Sequence, residues 1–265
     1  MIKSYNYIIH IISITLSKIF KFKEVSLYNL FIRLSLGKFK FSKYGVLLHN
    51  QRLSENTYKF CMGGAYGDEY SNYLKNYSKK FIFLDIGSNI GLYSCIASRN
   101  NYCTNIYSFE PLKSICRVIK KNFKLNAVKG KIIDSGIYSK NTEKVIFFNP
   151  EHTGVSSIIK KKNKFYTKKF KCTFINHKKL DKILNKDKIL NYLVKIDVEG
   201  AEKIVIQELI KIKNFRYVSS IWIEINNFKE MSIISKILSK QKFILVKDFK
   251  SKLTKDYLFI RNEEN

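Results

Sequence analysis

Three short segments hold the residues best able to do chemistry. In FLDIGSNIG, residues 83–91, Asp85 closes an apolar run, and Gly87, Ser88, Asn89 and Gly91 form a tight turn into a helix. Gly87 permits the turn, Gly91 allows close approach to a ligand, and the free N–H groups of the helix start offer polar contacts. The spacing is not that of the dinucleotide fingerprint G-x-G-x-x-G. A strand-end carboxylate suits an ammonium better than a pyrophosphate. Taken alone, the loop is moderately specific, the alternative being a structural turn capped by Asn89.

In YSFEP, residues 107–111, Glu110 follows Asp85 by 25 residues at the tip of the next apolar run. A carboxylate there can accept both hydrogen bonds of a ribose diol, as the acid about 20 residues on does in nucleoside-binding α/β folds. In LVKIDVEGAE, residues 193–202, Lys195 and Asp197 alternate along a strand, and Glu199 and Glu202 follow in a turn and first helical turn. Acids at a helix start favour its dipole, which accounts for Glu202 and Glu199 but not for Asp197.

The elements that must position these residues follow from periodicity. Apolar runs predict strands over 80–85, 105–109, 130–134, 193–197 and 218–225, and alternating patterns add strands over 144–149 and 168–175. Helical spacing marks 67–77, 92–99, 112–123, 201–212 and 229–239, and hairpins are expected within 45–60 and between 243–246 and 257–260. Strands alternating with helices imply a parallel sheet covered on both faces, with ligands beyond the carboxyl ends of its strands. The division expected is a helical and hairpin extension over 1–66 and a catalytic domain over 67–265.

Composition narrows the class. The chain has 265 residues, 45% hydrophobic and 26% charged, with 2 prolines and 11 glycines, which excludes disordered, collagen-like and proline-rich chains. Its net charge of +28 points to nucleic acid or an anionic membrane surface. Yet only six of the 49 cationic side chains are arginines, whose guanidinium fork suits base and phosphate recognition. Abundant lysine, asparagine and isoleucine read as coding bias of an AT-rich genome. The lysines of 160–171 could form a solvated loop or a clamp for an anionic acceptor. Five dispersed cysteines without a C-x-x-C pair suggest neither disulfides nor zinc, and fit a reducing, cytoplasmic compartment. Residues 5–20 are too often interrupted to span a bilayer. They predict a helix packed on the body, or one lying on a membrane as a peripheral contact.

FLDIGSNIG, SFEP, VKIDVEGAE and IWIEIN together resemble the FkbM family of S-adenosylmethionine-dependent methyltransferases over about residues 67–226, with DVEGAE the most specific part. Residues 154–158 (GVSSI) and 179–183 (KLDKI) resemble further family elements, while Gly136 stands where alanine is common. The resemblance implies a class I, Rossmann-like α/β fold with a seven-stranded, mostly parallel sheet. It implies S-adenosylmethionine as cofactor and methylation of a hydroxyl on a glycan or small metabolite. Asp85, Gly87, Ser88, Asn89 and Gly91 match its methionine-side loop and Glu110 its ribose acid, and Ser135 follows the third strand where adenine would lie. Asp197 is the first candidate for the base, with His152 second because histidine titrates near neutrality; Glu199 is the third catalytic candidate. His177 flanks the same lysine-rich insert, and no ligand spacing calls for a metal.

The only prolines, Pro111 and Pro150, exclude the proline-bearing motifs of adenine-N6 and cytosine-C5 methylation. Ribose methylation of RNA, or a catalytically silent nucleic-acid-binding protein on this fold, stays open as the alternative. The expected partner is a hydroxylated acceptor, sugar-linked or anionic, with nucleic acid less favoured.

Overall fold

The structure is a computed structural model, and it describes residues 2–19, 34, 37–49, 55–159, 166–184, 191–250 and 255–262. The main sheet is built from β3 (Phe81–Ile86), β4 (Cys103–Phe109), β5 (Lys131–Ile133), β9 (Asn191–Ile196), β10 (Val218–Glu224), β11 (Phe243–Lys250) and β12 (Lys255–Arg261). Its spatial order is β11-β12-β10-β9-β3-β4-β5, parallel throughout except for β12, which runs antiparallel to both neighbours. This is the class I arrangement, as expected. The order reverses at β3, with β4 on one side and β9 on the other, so the crevice above β3 is where a ligand belongs.

Continuous burial of β3 explains its unbroken apolar run, since both faces are covered. One face carries α6 (His177–Leu184), α7 (Glu202–Leu209) and α8 (Phe228–Ser239), whose Leu180, Val205 and Ile234 join Ile82, Leu84 and Val194 in the larger core. The other face packs α3 (Glu69–Asn76), α4 (Leu92–Ala97) and α5 (Lys113–Asn126) against Phe81, Phe83 and Leu193. A second sheet, β6 (Gly136–Ile137), β8 (Lys168–Ile175) and β7 (Thr142–Phe148), leans on α5 through Leu112, Ile115, Ile146 and Phe174.

The N-terminal region departs from expectation. The hairpin is β1 (Phe39–Phe41) with β2 (Leu47–His49), turning at Gly45 with φ +84°; a helix, α2 (Asn56–Gly63), takes the end of the predicted hairpin, and 50–54 lie outside the described residues. Glu55 caps that helix by accepting from the Thr57 and Tyr58 amides. Glutamate is not a usual cap residue, so the start was not legible. The open edge of β2 is covered by side chains of α5: Asn126 accepts from the Leu47 amide at 2.9 Å and donates to its carbonyl at 2.6 Å, while Asn122 accepts from the His49 amide at 2.7 Å. Pairing an edge in this way removes a site for aberrant strand addition. Tyr44, Val46, Tyr58 and Met62 share one core with Phe81 and Phe83, so the N-terminal elements and the sheet are packed together. Helix α1 (Ile2–Ile19) lies against β1.

Candidate active site

A cavity of about 270 Å³ opens above the carboxyl ends of β3, β4, β9 and β10. Its floor is the turn after β3. Gly87 has φ +78°, and a Cβ there would stand 1.8 Å from the Asp197 carbonyl oxygen. The glycine therefore lets β3 and the β9 turn meet, rather than only admitting a ligand. Gly91, with φ +77°, would place a Cβ 3.1 Å from Ile119 of α5; its close approach is to that helix, and it does not line the cavity.

Asn89 adopts a left-handed φ of 45° and accepts from the Ile90 amide at 2.8 Å. Its own amide donates to Glu110 Oε2 at 3.1 Å, and its Nδ2 to Thr153 Oγ1 at 3.3 Å. Glu110, at the tip of β4, also accepts from the Leu112 amide at 3.0 Å. Burial pushes its carboxyl up to about 7, against the opposing pull of these two amides. Ser88 and Asn89 line the cavity with Glu110.

Toward β5 and β6 the wall becomes apolar, with Leu112, Ile137, Ile146 and Phe174 around Gly136. A Cβ at Gly136 would lie 2.4 Å from the Phe174 ring, which is the physical reason for glycine where the family commonly has alanine. Ser135 is buried behind this wall and Asp134 is exposed; neither lines the cavity. An apolar slot beside a carboxylate suits a nucleoside.

Asp85 lies one layer below. Its Oδ2 accepts from the Ser94 amide at 3.1 Å and hydroxyl at 2.6 Å, and its Oδ1 is buried without a hydrogen bond. It holds the first turn of α4 and does not reach the cavity wall. Burial raises its pKa, partly offset by Lys195. Lys195 is 6% exposed and donates to Asp197 Oδ2 at 2.9 Å. Burial opposes its charge, but Asp197 and Asp85 outweigh that and hold it above its ordinary value.

Across β10 the cavity turns acidic. Asp197 and Glu199 come from the β9 turn, Glu224 from β10 and Asp256 from β12. Glu224 and Asp256 are direct cross-strand partners, an unfavourable pairing of like charges. Asp256 is held by the Trp222 indole at 3.0 Å. Burial, with Asp197, Asp256 and Glu199 nearby, pushes Glu224 up to about 9. Motif reasoning passed over both: Glu224 stood in IWIEIN, whereas nothing local marks Asp256.

The insert roofs the site. Thr153 donates from its amide to Glu55 Oε1 at 2.8 Å, Gly154 to Thr57 Oγ1 at 2.7 Å, and the Ser157 hydroxyl to the Glu199 carbonyl at 2.6 Å. His152 lines the cavity beside Phe60, with ring centroids 5.8 Å apart, and burial lowers its pKa, keeping it neutral near pH 7. His177 is elsewhere, bound to Glu208 at 2.8 Å.

Two expectations follow. Glu110→Ala weakens S-adenosylhomocysteine binding roughly tenfold to a hundredfold, the loss of about 1.5–3 kcal/mol for hydrogen bonds to a charged group. Because hydroxyl donors favour the ionised carboxylate, wild-type affinity rises as pH passes about 7, which calorimetry across that range measures. Glu224 carries its proton in the fold at pH values where the unfolded chain has lost it, so its contribution to stability is full below about 4.5 and falls as pH rises toward 9. The thermal midpoint of Glu224→Gln therefore gains on wild type between pH 5 and 9; a constant difference would refute this.

Among curated proteins none matches the chain. Similar solved structures include precorrin-6y C5,15-methyltransferase from Geobacter metallireducens GS-15, with 10% identity and TM-score 0.43 over 72% of this chain and 85% of that one. A human methyltransferase 10 domain containing protein has 12% identity and TM-score 0.46, covering 82% and 85%. The model of the methyltransferase FkbM domain matches residues 85–245, more than half of the chain. With the turn after β3, Glu110 and the DVEG turn all inside that match, the chain belongs to the FkbM methyltransferase family and is an S-adenosylmethionine-dependent enzyme.

Proposed function

We propose that the enzyme methylates a hydroxyl of a neutral, polyhydroxylated acceptor, a glycan unit or a small metabolite. The observation that carries this reading is the acidic part of the cavity, where Asp197, Glu199, Glu224 and Asp256 stand together and Lys195, paired with Asp197, is the lysine among the described lining residues. Carboxyl groups accept hydrogen bonds from several hydroxyls at once, and Phe60, Tyr66 and Tyr93 supply flat apolar surface beside them. With Glu224 carrying its proton and Asp197 paired with Lys195, a phosphate in that place would still meet the carboxylates of Glu199 and Asp256, which argues against an anionic acceptor and against an RNA backbone.

The lysines that suggested an anionic acceptor do not line the cavity as far as they are described. Residues 160–165 lie outside the described residues, while Lys168, Lys169 and Lys171 are exposed along β8, with Lys171 paired to Glu143 at 2.6 Å.

Bound S-adenosylmethionine supplies an electrophilic methyl group on its sulfonium. Glu110 and the 87–90 turn anchor the nucleoside side, and the slot around Gly136 excludes water from the ring. Asp197 lies between that side and the acidic pair, where it can take the acceptor's proton as the oxygen attacks. Lys195 orients the Asp197 carboxylate, and His152, neutral in the roof, is the competing base. Glu199 contributes negative potential from a turn fixed by Ser157.

The test is transfer of labelled methyl to neutral oligosaccharides, phosphorylated sugars and RNA, supplied separately. Neutral oligosaccharides are expected to be labelled. Labelling confined to phosphorylated sugars or RNA defeats the reading.

A further inference from the structure

Helix α1 packs through a mixed face, polar residues together with the partly buried Ile9 and Ile14, and leaves a second apolar face outward. Asn6, His10 and Ser13, one helical turn apart, are the fully buried residues of this helix among those described. Asn6 Nδ2 donates to the Phe39 carbonyl at 3.2 Å, and the His10 ring stacks on Phe41 at 5.2 Å. Tyr7 meets the same Phe41 ring edge-on at 5.7 Å. Burial, then Arg99 and Lys75, lowers His10 to about 4, so this face stays uncharged at neutral pH. These contacts fix the rotation of the helix. The opposite face carries Ile8, Ile11, Ile12 and Ile19 with Tyr5, between 41% and 66% exposed.

Single exposed isoleucines need no explanation, but a stripe along a whole helix does, because amphipathic helices of globular proteins turn their apolar side inward. Among the described residues no helix is long and apolar enough to cross a membrane. The sequence around the stripe is basic. Lys3 and Lys38 are exposed, Lys38 directly preceding the Phe39 that binds Asn6, and residues 1–23 include Lys3, Lys18, Lys21 and Lys23 but no acid.

We propose that the Ile8, Ile11, Ile12 and Ile19 face of α1 docks flat on an anionic lipid surface. Charge decides between the possible occupants. A second copy would bring the same lysines, on a chain of net charge +28, against themselves, whereas a bilayer bearing anionic headgroups attracts them while its acyl layer takes the isoleucines. The inference does not depend on the identity of the acceptor.

The experiment is sedimentation of the full chain with vesicles of equal parts phosphatidylcholine and phosphatidylglycerol, and with phosphatidylcholine alone. Wild type is expected to pellet with the mixed vesicles only. Ile8→Asp combined with Ile12→Asp lowers the bound fraction by at least about tenfold, with thermal midpoint and S-adenosylhomocysteine affinity unchanged. Lys3→Gln combined with Lys38→Gln, which leaves the apolar face intact, weakens binding less and flattens its salt dependence. Equal pelleting of wild type and the aspartate variant overturns the proposal. So does an absence of vesicle binding, in which case a dimer broken by the aspartates identifies a second copy as the occupant. A lowered thermal midpoint without vesicle binding identifies a cover from this chain itself.

Discussion

Gly87→Val yields a protein that binds no S-adenosylhomocysteine and unfolds at a lower temperature. Two penalties coincide at this position. Its φ of +78° is a conformation a β-branched residue avoids, and the added Cβ would stand 1.8 Å from the Asp197 carbonyl and 3.2 Å from Val198 Cγ1. Backbone on the opposing side cannot be moved aside as the end of a flexible side chain can. Relief requires β3 and β9 to part, and the Asp197 amide bond to the Ile86 carbonyl, 3.0 Å long, holds them at that point. A cost of about 4 kcal/mol or more is expected, the range reached when strain and overpacking act together. For a domain of this size that lowers the thermal midpoint by about 8–16 °C. Gly87→Ala keeps the clash and loses only the branching, so it falls between. Wild-type turnover in the valine variant would reduce the loop to a connector and remove the reason given for its glycine.

Asp197→Asn lowers kcat by about 10²–10⁴, the contribution of a positioned general base, while S-adenosylhomocysteine affinity stays close to that of wild type. The substitution keeps the shape of the side chain and its place beside Lys195. It removes the negative partner of a lysine that is 6% exposed, so Lys195 is left with Asp85 and, more weakly, Asp256. A modest drop in stability accompanies the loss of rate, and the two are separated by measuring kcat well below the new midpoint. Residual turnover reflects alignment of the reactants, which does not require the base. If cofactor affinity falls and kcat does not, Asp197 is a binding residue. If His152→Ala alone abolishes the acidic limb of the pH profile, the histidine in the roof is the base.

Both predictions start from residues visible in the sequence, but their reasons come from the fold. Local chemistry made the strands, the order of the motifs and the family legible. A fully buried parallel strand must be apolar along its length, so residues 80–85 and 193–197 announced themselves, and β8 was found at the residues expected, Lys168–Ile175. The turn after β3, Glu110 and the DVEGAE segment are short, contiguous and chemically constrained, so they carried S-adenosylmethionine dependence without any three-dimensional information. Asp85 shows the limit of that reading. Its strand-end position suggested contact with the cofactor, yet its direction along β3 turns it into the start of α4, where Ser94 takes it.

What tertiary structure alone decided is everything that depends on distant segments meeting. Glu224 and Asp256 become an acidic pair only because β12 runs antiparallel to β10 in one register. Thr153 closes over the site only because Glu55, 98 residues earlier, caps a helix beside it. The outward apolar face of α1 follows from Asn6 and His10 finding partners on a hairpin more than 25 residues away, which no helical periodicity could reveal. Amino-acid pattern determines which residues prefer to be strand, helix or turn, because those preferences act over a few neighbours. Which carboxylates share a cavity, and which face of a helix is left to the solvent, is determined by long-range pairing, whose partners are not encoded next to one another.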